Sequence, residues 1–231
     1  MGVLSVIATP IGNLEDLGLR ALRTLKEADF ILCEDTRVSR TLLAHYQIKA
    51  PTISYHQHSG RFKINKLLEL LRVGKRLALI TDAGTPGLSD PGGSLVSAVR
   101  RREDLEIKIE SIPGPSALTA ALSLAGEGFD RFLFLGFLPH KKGRATQLKK
   151  IIESEYPVIL YESKHRILKF LQEFSALTKL QSESDWQVFL AREISKLHES
   201  FYSGTAEDLS LKLQSDPQNL KGEFVVLLKR S

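Results

Sequence analysis

Over residues 3–125, short apolar runs rich in β-branched residues alternate with amphipathic segments, and few chain topologies can bury such a pattern. Residues 3–8 (VLSVIA) read as a buried strand, halted by Thr9-Pro10-Ile11-Gly12-Asn13. Leu17, Ala21, Leu25 and Ala28 then recur at helical spacing, with Arg20, Arg23, Lys26 and Glu27 on other faces and Asn13 or Asp16 placed to cap the start. "DFILCED" reads as a strand, 36–46 as a helix, "PTISYH" as a strand and 61–73 as a helix with Ile64, Leu67, Leu68 and Leu71 inward. "RLALIT", a helix over 93–102, "EIKIESI" and a helix over 116–125 continue the alternation. A repeating βα order of this kind requires a mainly parallel sheet covered on both faces.

The pattern breaks at Gly126-Glu127-Gly128, and "DRFLFLGFLP", "PVILYES", "WQVFLARE", "ESFYSG" and "GEFVVLLKR" form a second series, with helices expected over 143–154, 164–177 and 205–214. The expectation is an α/β protein of two αβ domains, 1–115 and 116–231. With 231 residues, 42% of them hydrophobic, the chain can bury cores of that size. No apolar run approaches the roughly 20 residues of a membrane span. The first residues, Met1 to Val6, lack a basic stretch and a small-residue cleavage site. Cys33 is the only cysteine, which excludes an intramolecular disulfide and a thiolate metal cluster and suits a reducing compartment, so a cytoplasmic protein is expected. The six histidines include His56 and His58, two residues apart, which form no convincing metal site and read as loop residues. Net charge is +5, from 32 Lys and Arg against 27 Asp and Glu, which favours a polyanionic partner without requiring one. The densest basic stretch is "HKKGRATQLKK", whose simplest reading is a solvated helix face.

In an open α/β sheet, ligands bind beyond the carboxyl ends of the strands, where loops expose backbone N–H groups and helix N-termini bring positive potential. Three loops here combine glycine and proline at such positions: "TPIGNLED", "DAGTPGLSDPGG" and "PGPSA". None carries G-x-G-x-x-G or G-x-x-x-x-G-K-[ST], so neither a dinucleotide site nor a P-loop triphosphate site is indicated. The loops contain no basic residue; they bring Glu15, Asp16, Asp82 and Asp90 together with the hydroxyls of Thr9, Thr81, Thr85, Ser89 and Ser116. That chemistry suits a ligand with ribose hydroxyls and a positive centre, such as S-adenosylmethionine, better than one carrying phosphates. Taken singly, Asp82 and Asp90 read more simply as turn formers bonding their own loop.

"VIATPIGNLEDLGLRAL", "ADFILCEDTRVSRTLL", "TDAGTPGLSDPG", "SIPGPSALTAAL", "FLGFLP", "ILYESKHR" and "AREISKLHE", in this order, resemble the small-subunit ribosomal RNA methyltransferase I family, a branch of the tetrapyrrole methylase superfamily. The resemblance implies two αβ domains of the tetrapyrrole methylase type, with a mainly parallel N-terminal sheet and a mixed C-terminal sheet. It implies S-adenosylmethionine-dependent methylation of a cytidine ribose 2′-hydroxyl in small-subunit (16S) rRNA, by a homodimer. Carried over by matching position, the cofactor would lie between the domains, held by Pro10, Asp82, Ala83, Gly84, Thr85, Leu88, Ser116 and Ala117, with Tyr161 closing over it. Two positions depart from the family pattern: Lys164 stands before His165 where a proline is usual, and Ser59 follows "YHQH" where an asparagine is expected.

Methyl transfer from sulfonium to oxygen is an in-line displacement, so positioning dominates and no metal is needed. A ribose hydroxyl is a poor nucleophile while protonated, so a base, or a lysine stabilising the developing alkoxide, is expected near it. "REISKLHE" offers Glu193, Lys196 and Glu199 beside Arg192, and Glu162 ends a neighbouring strand. For each of these, surface ion pairing is the simpler individual reading; as a group they are the catalytic candidates, Glu199 and Lys196 first. RNA would be gripped through phosphates by Lys141 to Lys150 with Arg37, Arg40, Arg61 and Lys63. A tetrapyrrole C-methyltransferase is the nearest alternative, although such enzymes typically begin with a GxGxGD-like loop where this chain has TPIGNLED. A non-catalytic RNA-binding or assembly module is the other.

Overall fold

The computed structural model describes residues 1–56, 59–90, 92–180 and 186–230. The chain divides into two compact units, Met1–Ser116 and Ala117–Ser231.

The first unit is built on five strands, β1 (Gly2–Ile7), β2 (Phe30–Cys33), β3 (Thr52–Ser54), β4 (Arg76–Leu79) and β5 (Ile107–Ile112). They form one wholly parallel sheet in the order β3-β2-β4-β1-β5. Helices α1 (Leu19–Glu27), α2 (Thr36–His45), α3 (Arg61–Arg72) and α4 (Gly92–Arg100) connect them. Both faces of the sheet are dry because successive side chains of one strand point to opposite sides. Ile31 and Cys33 join one core with Ala78 and Ile80, whereas Leu32 joins the other with Leu77 and Leu79. Where the sequence suggests a helix starting beside Asn13, the chain instead makes a short 3-10 turn over Leu14–Asp16. Asn13 caps that turn by accepting from the Glu15 N–H, and α1 begins only after Gly18.

The second unit opens with α5 (Ala117–Ala125) and continues through β6 (Leu133–Phe137), α6 (Arg144–Ile152), β7 (Val158–Ser163), α7 (Ile167–Leu180), β8 (Trp186–Arg192), β9 (Ser200–Gly204), α8 (Ala206–Ser215) and β10 (Glu223–Arg230). Its sheet runs β6-β7-β10-β8-β9 and is mixed, as expected: β6 and β7 are parallel, while β10 is antiparallel to both of its neighbours. Val158, Leu160, Val188, Leu190, Phe224, Val226 and Leu228 present one face to the apolar stripes of α6, α7 and α8. This antiparallel order places the ends of β6, β7 and β8 and the starts of β9 and β10 along a single edge. Among the described residues, no helix is long and apolar enough to cross a membrane.

Candidate active site

The three Gly/Pro loops of the first unit meet at the carboxyl edge of its sheet. Thr9 and Gly84 exchange backbone hydrogen bonds, N to O at 2.9 and 3.0 Å, joining the loop after β1 to the loop after β4. The Thr9 hydroxyl also donates to the Thr81 carbonyl at 3.1 Å. The third loop closes in through the Thr85 hydroxyl, which donates to the Pro115 carbonyl at 3.2 Å. Gly114 abuts Ala8, where an added Cβ would stand 3.1 Å from the Ala8 Cβ. Gly84 adopts φ +81°, a conformation that costs other L-residues about 1–2 kcal/mol, so glycine is the residue that fits this bridge. Pro10, Asp82, Ala83, Gly84, Thr85, Leu88 and Ser116 therefore all lie on this cluster of loops. Pro10 and Gly84 are buried, Thr85, Leu88 and Ser116 are half-buried, and Asp82 and Ala83 are exposed.

The two aspartates behave differently. Asp90 is the turn former expected from its sequence context, accepting from the N–H groups of Gly87 at 2.8 Å and Gly92 at 2.7 Å. Asp82 instead reaches across to the loop after β2, where its Oδ1 accepts from the Asp35 N–H at 3.1 Å. Asp35 in turn caps α2 through the Arg37 N–H and chelates the Arg37 guanidinium, which holds its carboxyl down at about 2. Next to it, Glu34 is pushed above the ordinary carboxylate value, first by burial and then by the negative charges of Asp82 and Asp90, with His56 opposing. The negative charge of Asp82 and Asp90 around Glu34 would be relieved by a cation. The link through Asp35 is one that composition alone misses; its signal is an acidic residue directly before the helix beginning TRVSR.

Three of the four catalytic candidates, Glu193, Lys196 and Glu199, lie in the connection from β8 to β9 at the edge of the second sheet described above. Glu193 and Ser195 take positive φ, +50° and +69°, in the tight connection from β8 to β9. Lys196 Nζ lies 2.9 Å from Glu193 Oε1 and 2.9 Å from Glu223 Oε2, and Glu193 Oε1 also accepts from the Glu223 N–H at 2.9 Å. Burial alone would raise the Glu193 carboxyl, but Lys196 and the Glu223 amide outweigh it and hold it below its usual value. Burial alone would likewise lower the Lys196 ammonium, and the two glutamates reverse that, so it stays protonated. Glu199 is exposed and receives the Ser195 N–H at 2.6 Å. The whole connection is pinned by Arg192, whose buried guanidinium donates to the carbonyls of Lys221, His198 and Gln218 at 2.7–2.9 Å.

Glu162 stands apart from these three. Its side chain is 0% exposed, on the helix-covered face of β7, with Oε1 2.7 Å from Arg166 Nε and Oε2 3.6 Å from Arg144 Nη1. Arg144, itself 6% exposed, is shared with Glu173 at 2.7 Å, and Arg166 donates to the Leu138 carbonyl at 2.8 Å. Glu162 is thus the centre of a buried ionic cluster rather than a group at the mouth of a cleft. None of these partners carries a local signal, since Glu162 lies on a strand and Arg166 in the turn before α7, while Arg144 and Glu173 sit on other elements. The same cluster removes Arg144 from the solvated basic face of α6 expected from HKKGRATQLKK. Arg37, although 84% exposed, is engaged by Asp35. Tyr161, on the opposite face of β7, packs against Phe134 and Phe137 at ring separations of 5.0 and 5.5 Å. Ala117 begins α5. His58 lies outside the described residues, and no group of three or more His, Cys, Asp or Glu able to hold a metal occurs among the described ones.

Comparison with known proteins adds a family to this geometry. Residues 3–210 match the family of Tetrapyrrole (Corrin/Porphyrin) Methylases. The methyltransferase CobJ superposes with a TM-score of 0.69 at 18% identity, covering 100% of this chain and 95% of its own. A uroporphyrin-III C-methyltransferase from Thermus thermophilus gives 0.62 at 20%, covering 98% and 94%, and at these identities the likeness shows the fold alone. The Ribosomal RNA small subunit methyltransferase I of Thermotoga maritima is 42% identical over 208 residues, 90% of each chain. The protein of the same name from Haemophilus influenzae is 42% identical over 229 residues, 99% of this chain and 78% of the relative. The chain is a member of the small-subunit ribosomal RNA methyltransferase I family, within the tetrapyrrole methylases.

Proposed function

We propose that this protein is an S-adenosylmethionine-dependent methyltransferase that 2′-O-methylates the ribose of a cytidine in small-subunit ribosomal RNA, acting in the cytoplasm as a homodimer. The observation that carries the donor assignment is the closure of three glycine-bearing loops around carboxylates, with no basic residue among them. The RNA substrate is supported by the names of the relatives, and the cytidine 2′-hydroxyl by the motif resemblance given above.

The residues present fit the donor. Gly84 lets backbone approach closely, Asp82 and Glu34 bring negative charge to the same group of loops, and Pro10, Ala83, Thr85, Leu88 and Ser116 belong to the proposed contact set there, to which the motif resemblance alone adds Ala117 and Tyr161. Bound S-adenosylmethionine would supply a methyl group already activated by the positive sulfur. The first unit's task is to hold and orient that donor, and the RNA contacts are shared with exposed lysines such as Lys141, Lys142 and Lys149. The second unit supplies the charged groups. Lys196, kept protonated by Glu193 and Glu223, is the candidate to stabilise negative charge developing on the ribose oxygen, and the exposed Glu199 is the candidate to receive its proton. Glu193 serves by fixing Lys196.

Labelled S-adenosylmethionine incubated in turn with small subunits, naked rRNA and a tetrapyrrole precursor tests the assignment. Label in ribose 2′-O-methylcytidine is the expected result; label in the macrocycle, or in nothing, refutes it. Lys196→Ala and Glu199→Ala are expected to lower turnover far more than donor affinity measured by calorimetry. Unchanged turnover in both removes them from the mechanism.

A further inference from the structure

A cavity of about 470 Å³ lies on the first unit away from the loops just described, where the first turns of α3 face the end of α4. It is lined by apolar Ile64, Leu68 and Ala98, by Asn65, and by three arginines, Arg61, Arg101 and Arg102. Arg102 is already spoken for, bound in a fork to Asp104 at 2.8 Å through both Nε and Nη2. Arg61 and Arg101 are exposed and enter none of the ion pairs among the described residues, leaving two guanidinium groups beside these apolar side chains. The next residue on α3, Phe62, is 86% exposed, a ring that contributes nothing to the core.

Arginines beside an open aromatic ring make the chemistry of a single-stranded nucleic acid contact: guanidinium groups take phosphate oxygens, and a flat apolar ring stacks a base. A protein surface could also cover the ring; the net charge of +5 and an rRNA substrate favour a nucleic acid as the occupant. We infer that the α3–α4 groove is an RNA docking site, in which Arg61 and Arg101 bind backbone phosphates, while Phe62, exposed on α3 next to Arg61 but not part of the groove's lining, stacks an unpaired base. The inference rests on RNA being the substrate. The groove sets affinity and register on the RNA and takes no part in the chemical step.

The test compares Arg61→Gln/Arg101→Gln, Arg61→Lys/Arg101→Lys and Phe62→Ala with the unaltered protein, using both naked small-subunit rRNA and assembled small subunits. Methylation by the unaltered protein is the control; if that fails, the functional assignment is at fault, not the groove. With the control intact, the glutamine pair is expected to raise KM for RNA about tenfold while kcat and donor affinity stay unchanged. Its log-log salt slope for binding naked rRNA should be shallower by about 1.4, two phosphate contacts at roughly 0.7 each on a single strand. The lysine pair should recover most of that slope, and Phe62→Ala should raise KM without altering it. Unchanged KM and slope in the glutamine pair overturns the inference, as does an effect confined to assembled subunits, which would point to a protein surface. Since the three side chains are exposed or rim the cavity, thermal melting of each variant should match the unaltered protein, and a lowered kcat at full folding also overturns the inference.

Discussion

Replacing Glu162 with alanine separates a structural carboxylate from a chemical one. The side chain is fully buried, with Arg166 at 2.7 Å and Arg144 at 3.6 Å, and the Ser163 N–H donates to it at 2.8 Å. Truncation leaves two guanidinium groups in an apolar layer with only Glu173 to balance them. Breaking a buried pair in this way costs about 3–5 kcal/mol, because the remaining charge loses its counterion without regaining water. Against a typical domain stability of about 5–15 kcal/mol, such a loss brings the second unit close to unfolding at growth temperature. Urea unfolding followed by circular dichroism should therefore show a midpoint lowered by a matching amount at constant slope. Turnover per folded molecule should be near normal. A second variant guards against simple failure to fold: Glu162→Leu with Arg144→Met and Arg166→Met replaces the cluster by apolar volume and should recover most of the loss. If Glu162→Ala unfolds within about 1 kcal/mol of the unaltered protein yet loses methyl transfer, the carboxylate acts on the substrate and the structural reading is wrong.

Gly222→Ala should be among the most disruptive single-methyl changes, since φ is +98° there and a Cβ would run into the Glu193 side chain, forcing it off Lys196 and the Glu223 amide. A loss of roughly 2–4 kcal/mol, from left-handed strain plus a charge-assisted hydrogen bond, should appear on urea unfolding together with reduced turnover, and a neutral effect on both would refute the coupling. Glu193→Gln should be destabilising only where the native carboxylate is ionised: its folded value lies below the ordinary 4.5, so its contribution is present above that pH and fades as acid carries the protein through the depressed value. Unfolding midpoints of the two proteins should converge in acid, and a constant gap at all pH values would sink the assignment. At the alkaline end the sign reverses for Lys196, whose value lies above 10.5, so its contribution is lost only as pH rises through that raised value. Gly84→Val should weaken donor binding by calorimetry, because a branched side chain must be forced to φ +81° beside Ile11 and Pro115, whereas unchanged affinity would detach this loop from the donor.

Much of the architecture is legible in the residues because it depends on local period. The run VLSVIA, the unbroken apolar stretches in FILC and RLAL, and the helical spacing of Ile64, Leu67, Leu68 and Leu71 each match the burial that the folded sheet and helices then display. The meeting of the three loops follows once β1, β4 and β5 are neighbours, which the βα order favours. The start of α1 is not legible, because Asn13 caps equally well a 3-10 turn or a helix, and Gly18 decides the matter by interrupting. Partner choice at the second sheet's edge is illegible for a different reason. Lys196 meets Glu223 only because β10 returns antiparallel beside β8, a pairing 27 residues distant with no periodic trace. Arg144 reads as one more solvated cation of HKKGRATQLKK until α6 is rolled against α7 and turns it inward.

The position of β10 governs how the second unit can be assembled. It is synthesised after the other four strands, yet it occupies the middle of the sheet, and β7 and β8 have no bond to each other without it. While it is still in the exit tunnel, β6 with β7 and β8 with β9 are two separate hairpin-sized pieces, each exposing an unpaired flank. In the all-parallel sheet of the first unit the joining strand is β4, between β2 and β1, and the last strand made, β5, adds only at an edge. The sheet of the second unit is consequently continuous only once its last strand, eight residues long, lies between β7 and β8.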